Sequence, residues 1–67
     1  MEVYIVKVCI VDTEYYMASM SYSISKSVKD AVVFKKKNDA YFYASEIERA
    51  FDDSLGKVEA VRINSLI

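Results

Sequence analysis

Val3-Tyr4-Ile5-Val6-Lys7-Val8-Cys9-Ile10-Val11 is the run from which the fold is read: nine residues, dense in β-branched and aromatic types, with Lys7 the one polar member. Such side chains fit a pleated surface, and a run that is apolar at both parities belongs to a strand covered on both faces. This predicts the central strand of a sheet. Asp12-Thr13-Glu14 follows with polar residues suited to a turn.

The next segment alternates, with Tyr16, Ala18, Met20, Tyr22 and Ile24 at one parity and Ser19, Ser21, Ser23 and Ser25 at the other. Alternation of period two predicts a half-buried second strand. A three-residue loop over Asp12 to Glu14 would pair Ile10 with Tyr16, Val8 with Ala18, Val6 with Met20 and Tyr4 with Tyr22. The even-numbered residues of both strands would then share a face. A slip of one residue turns every side chain over, so an odd loop length is expected.

Further along, Ser27-Val28-Lys29-Asp30 has the capping-box form and opens either a single helical turn or, over Ala31 to Phe34, a short strand. Lys35-Lys36-Lys37 leads to a helix for which Asn38 or Asp39 is the best available cap. Ala40, Ala44, Ile47 and Phe51 recur at helical spacing, flanked by Tyr43 and Ala50, while Ser45, Glu46, Glu48, Arg49, Asp52 and Asp53 fall elsewhere. Gly56, the only glycine, is expected to mark the helix end. Lys57 to Ile67 reads as a last strand whose apolar parity changes between Ala60 and Val61, through either a bulge or burial on both sides.

The expected fold is α+β, with β-β-α-β order. It is a single domain over residues 1–67, a three-stranded antiparallel sheet in the order second, first, last, with one helix on the even face.

The chemistry is bounded by what is missing: no histidine, tryptophan or proline, one glycine and one cysteine. Without histidine the commonest general base and metal ligand is absent, and Ser-His and Cys-His pairs cannot form. A lone glycine excludes glycine-rich phosphate loops. Carboxylates remain in Asp52-Asp53, Glu46, Glu48, Asp39 and Glu59, but their spacing matches no calcium loop and suits a solvated helix face. Cys9 stands alone in an apolar run, as an inert buried thiol would. The expectation is a chain that is not an enzyme, with no cofactor and no metal.

Charges nearly cancel, at 9 basic and 10 acidic residues, so electrostatic recognition must be local. The first residues carry Glu2 and Lys7 without a basic leader, and no apolar stretch is long enough to span a membrane. A cytoplasmic chain with no membrane partner is expected.

Two surfaces stand out. One is the corner formed by Phe34, Lys35, Lys36, Lys37, Tyr41 and Phe42. Tyr41 and Phe42 fall off the apolar stripe, and exposed aromatic rings are the usual anchors of protein interfaces. Lysines beside rings also suit single-stranded nucleic acid. The other is the odd face of the hairpin, Val3, Ile5, Cys9, Val11, Tyr15 and Met17, which one helix cannot cover and which a second copy or another protein would.

Tyr4-Ile5-Val6, Tyr15-Tyr16, Tyr22-Ser23, Ala31-Val32-Val33-Phe34, Ala40 and Ile47 together resemble small phage and prophage proteins of low-GC Gram-positive bacteria. In those proteins a tyrosine-containing hairpin precedes an Ala-x-x-Phe element that packs under a helix. Three lysines stand here where a serine or threonine cap is common. The resemblance implies an accessory protein in the host cytoplasm that binds a host factor, as an inhibitor of a defence nuclease or of replication or transcription machinery. The primary expectation is therefore a protein-binding module. The alternatives are a weak single-stranded nucleic-acid binder and a structural homodimer.

Overall fold

A computed structural model describes residues 2–62. β1 (Glu2–Ile10), β2 (Thr13–Met17), β3 (Ile24–Ser25) and β4 (Ser54–Arg62) form an antiparallel sheet in the order β3-β2-β1-β4, and α1 (Lys37–Ala50) packs on one face. The class is α+β with one helix on the sheet, as expected. The sheet has four strands where three were predicted.

The fourth strand arises because the alternating serine segment is not one strand. β2 stops at Met17, and the chain reverses so that Tyr16 pairs with Ser25 and Met17 with Ile24. Ser19 organises the reversal. Its hydroxyl accepts from the backbone N–H of Ser21 (3.2 Å) and Ser23 (3.3 Å) and from the Ser23 hydroxyl (2.8 Å). Serine hydroxyls compete for backbone donors in this way, so a Ser-x-Ser-x-Ser alternation supports a turn as readily as a strand. Tyr22 takes a left-handed conformation, φ 66°, to close the turn.

The loop between β1 and β2 is Val11-Asp12, two residues and not three. Ile10 pairs with Thr13, Cys9 with Glu14, Val8 with Tyr15 and Lys7 with Tyr16. This corrects the expected odd loop length and turns β2 over, so that Tyr15 and Met17 join Val8 on the helix face and Tyr16 joins Lys7 on the other. The turn is closed by Val11, which takes φ 57°. A two-residue hairpin needs a left-handed residue, normally glycine or asparagine. A β-branched residue there carries about 1–2 kcal/mol of strain. Val11→Gly is expected to raise stability by about 0.5–1 kcal/mol, the strain relieved less the extra chain entropy of glycine. Urea denaturation checks this, and an unchanged or lowered midpoint would contradict the strain.

Residues 27–34 form the single helical turn, and of the alternative strand over Ala31 to Phe34 only a one-residue bridge at Phe34 is present. A 3-10 turn at Val28–Asp30 is capped by the Ser27 hydroxyl, which accepts from Lys29 N–H at 3.3 Å. Asp30 does not complete the box; its carboxylate accepts from the Ser25 hydroxyl instead, at 2.8 Å. Phe34 then bridges to Tyr4, and the two exchange backbone hydrogen bonds of 2.8 Å each.

Helix α1 begins one residue before the expected caps. Lys36 is the N-cap and makes no side-chain hydrogen bond, while Asn38 and Asp39 lie in the first turn. Ala40, Ala44 and Ile47 are buried, as the stripe predicted, against Val6, Val8, Met17 and Phe34. Each fully buried Val, Ile or Met in this cluster contributes about 1.5–3 kcal/mol.

Gly56 does not end the helix. The reversal falls on Asp53, φ 59°, a residue type that tolerates the left-handed region, and Gly56 lies inside β4 opposite Val8. β4 pairs with β1 in one unbroken register from Glu2 with Arg62 to Ile10 with Ser54, so there is no bulge. The parity change is burial that moves from one face to the other: Val58 packs against the helix-side core, and Val61 lies opposite the buried Val3. Ile63 and the rest of the predicted last strand, 63–67, lie outside the described residues. Among the described residues no helix is long and apolar enough to cross a membrane.

Candidate binding surfaces

The lysine and aromatic corner is assembled where the chain passes from the Tyr4 bridge into α1. Phe34, expected in the binding surface, belongs to the core. Pairing with Tyr4 turns its ring to the helix face, where it is 6% exposed and stacks on Tyr43, with centroids 5.4 Å apart and planes at 25°. The strand-like bridge settled an orientation that the sequence left between a turn and a strand.

The other members of the corner are exposed. Lys35, Lys36 and Lys37 are all exposed, and Lys37 Nζ lies 5.8 Å from the centroid of the Tyr41 ring one turn later. That spacing allows a cation–π contact, worth about 0.5–1 kcal/mol at exposed sites. Phe42 is 59% exposed and meets Tyr43 edge to face, with centroids 5.2 Å apart and planes at 88°. Tyr43 therefore sits between the exposed Phe42 and the buried Phe34, and also lies 6.2 Å from Tyr22. Its place beside the stripe was legible, but its support of Phe42 was not, because that follows from where Phe34 points.

The odd face divides into two parts. Val3 and Ile5 are fully buried although neither belongs to the cluster beneath the helix, so they are not an open surface. Burial on both faces is what the apolar run of β1 required, and it prevails over the count of a single helix. Met17 is fully buried and Tyr15 half-buried on the helix face, the consequence of the two-residue loop. Of the six residues expected on this surface only Cys9, half-buried, and Val11, 80% exposed, remain.

What occupies the rest of that face is charge. Lys7 lies between strands and reaches Glu14 on β2 at 3.0 Å and Glu59 on β4 at 3.1 Å. Hydrogen bonds to Glu14 and then to Glu59 hold its ammonium well above the usual lysine range, against a smaller opposing effect of burial. Directly opposite Lys7 on β4 is Lys57, a like-charge pair that the two carboxylates offset. A shallow depression of about 290 Å³ lies here, lined by Lys7, Cys9, Val11, Asp12, Glu14 and Lys57. Cys9 Sγ lies 3.5 Å from the Val11 carbonyl oxygen, its one hydrogen-bond partner among the described residues. Leu55, 58% exposed and opposite Cys9, extends the face toward the sheet edge and was missed because Gly56 beside it was read as a helix end.

Among the described residues no three cysteine or carboxylate side chains converge to hold a metal ion. Asp39, Glu46, Glu48, Asp52 and Asp53 are spread around α1 and the turn after it. Glu48 accepts from the Gly56 N–H at 2.7 Å, and Glu46 pairs with Arg49 at 3.5 Å. No family model, curated protein or solved structure matches this chain.

Proposed function

We propose that this chain is a non-catalytic protein-binding module that engages its partner through Phe42, with Tyr41 beside it and Lys35, Lys36 and Lys37 along the rim. The observation that carries the reading is Phe42 itself: a large apolar ring, 59% exposed, braced by Tyr43 on a buried Phe34. A pre-positioned aromatic loses little side-chain freedom on binding, which is why such residues anchor interfaces. The lysine rim favours an acidic surface on the partner. From the resemblance of the sequence to small phage and prophage proteins we infer that this partner is a host factor such as a defence nuclease. The alternative, single-stranded nucleic acid, draws on the same lysines and the Lys37–Tyr41 contact.

The test is capture from host lysate by the native chain, by Phe42→Ala, by Lys36→Glu and by Lys29→Glu, an exposed lysine of the 3-10 turn, as a surface control. Truncating a central aromatic anchor commonly costs about 2 kcal/mol, so the specific partner is expected to be retained by the native chain and the control but bound ten-fold or more weakly by Phe42→Ala. Recovery of the same proteins by all four chains would remove this surface from consideration. Oligonucleotide binding that falls steeply with added salt would move the assignment to nucleic acid.

A further inference from the structure

The free edge of β4 is nine residues long, contains no proline and no bulge, and is paired by no described strand. Proteins usually protect such edges, because the unpaired backbone groups template another strand. The direction of those groups follows from β1. Tyr4 exchanges both of its backbone hydrogen bonds with Phe34, away from β4, so Tyr4 and Ala60 form a non-hydrogen-bonded pair. The N–H and C=O of Ala60, and of Ser54, Gly56, Val58 and Arg62 at the same parity, therefore point outward. Gly56 agrees, since its N–H is donated to the Glu48 carboxylate reaching over from α1.

We propose that this edge pairs with the β4 of a second copy of the chain, antiparallel about a two-fold axis at Val58. In that register Val58 meets its own counterpart in a hydrogen-bonded pair, and Gly56 meets Ala60. The intervening pairs, where side chains approach most closely, bring Lys57 against Glu59 and Leu55 against Val61, each twice. The edge is thus self-complementary in charge, as an isologous contact requires. It also covers Leu55, the most exposed large apolar residue of β4.

The helices fit the same axis. α1 lies over both β1 and β4. With strands about 4.8 Å apart, joining two β4 edges places the two helices about 10 Å apart, the distance at which helices pack. Glu48 marks the flank of α1 that overhangs the edge, and Tyr41, seven residues earlier, lies on that same flank and is 52% exposed. In the dimer the two Tyr41 rings turn to this seam, and Phe42 with the lysine rim remains the surface for the other partner. Glu48 occupies one outward donor, the Gly56 N–H, so association exchanges that hydrogen bond for one donated to the partner's Ala60 carbonyl and is weak. Phe42 stays on the outer face, and the dimer presents it twice.

The experiment is sedimentation velocity of the native chain from micromolar to millimolar concentration, with Lys57→Glu, Glu59→Lys and their equimolar mixture. The native chain is expected to dimerise. Each variant alone sets like charges opposite each other twice and is expected to dimerise about ten-fold more weakly or worse. The mixture sets opposite charges together at every such position and is expected to recover dimers that native mass spectrometry shows to be one of each chain. Far-UV circular dichroism confirms that both variants fold. A native chain that stays monomeric throughout overturns the proposal, as does a mixture that forms no heterodimer. Phe42→Ala leaves the dimer unchanged, so this result and that of the capture experiment fail or succeed separately.

Discussion

Gly56→Ala is expected to destabilise the domain by about 2–3 kcal/mol, the cost of forcing an extra carbon into a packed site. For a domain of this size that lowers the thermal midpoint by about 8–24 °C. Gly56 has an ordinary strand conformation, so backbone freedom is not what glycine supplies here. A Cβ at this position would collide with the carbonyl oxygen of Ala44 and stand 3.0 Å from its carbon. Both are backbone atoms of α1, and no change of rotamer can relieve them. The helix sits this close because its buried positions against the sheet include Ala40 and Ala44, and the Glu48 carboxylate clamps Gly56 N–H from the same side. Ala60→Ser, on the same face but exposed, is the control and should stay within about 0.5 kcal/mol of the native chain. A Gly56→Ala variant that melts with the control would show that helix and strand do not touch here.

The same glycine shows how much could be read before the structure. α1 was legible because its apolar stripe combines helical spacing with small residues, and β1 because nine nearly unbroken apolar residues allow little else. Glycine, however, serves both left-handed turns and close backbone approaches, and only the position of Ala44 in space distinguishes them. Val11 is the converse case. The left-handed residue of the hairpin is a valine, so the Asn-Gly or Asp-Gly signal of a two-residue loop is missing, and the polar Asp12-Thr13-Glu14 misled. Local strain at one residue thus misassigned a whole face. Of the candidate surfaces, the exposed Tyr41 and Phe42 followed from helical phase alone. The burial of Phe34, Val3 and Ile5 did not, since it depends on contacts distant in sequence.

The sharpest consequence of the two-residue loop is an inversion of sensitivity at adjacent positions. Met17→Asp is expected to leave the chain unfolded, and Tyr16→Asp to leave it folded. Met17 is fully buried beneath α1 with Val6, Val8 and Ile47 and no charged partner. An isolated carboxylate there costs several kcal/mol in addition to the roughly 2–5 kcal/mol lost with the methionine side chain. Domains of this length hold only about 3–10 kcal/mol in total. Tyr16 lies on the opposite face beside Lys7, half-buried and paired with Ser25 at the sheet's short outer strand. A carboxylate introduced there stays near solvent and near the Lys7 ammonium, so its cost is expected to be about 1 kcal/mol, typical of a surface strand position. A three-residue loop would reverse the result, because it places Tyr16 under the helix and Met17 outside. Far-UV circular dichroism and urea titration of the two variants separate the registers: a folded Met17→Asp beside an unfolded Tyr16→Asp would restore the three-residue loop and with it the open hydrophobic face that the structure removes.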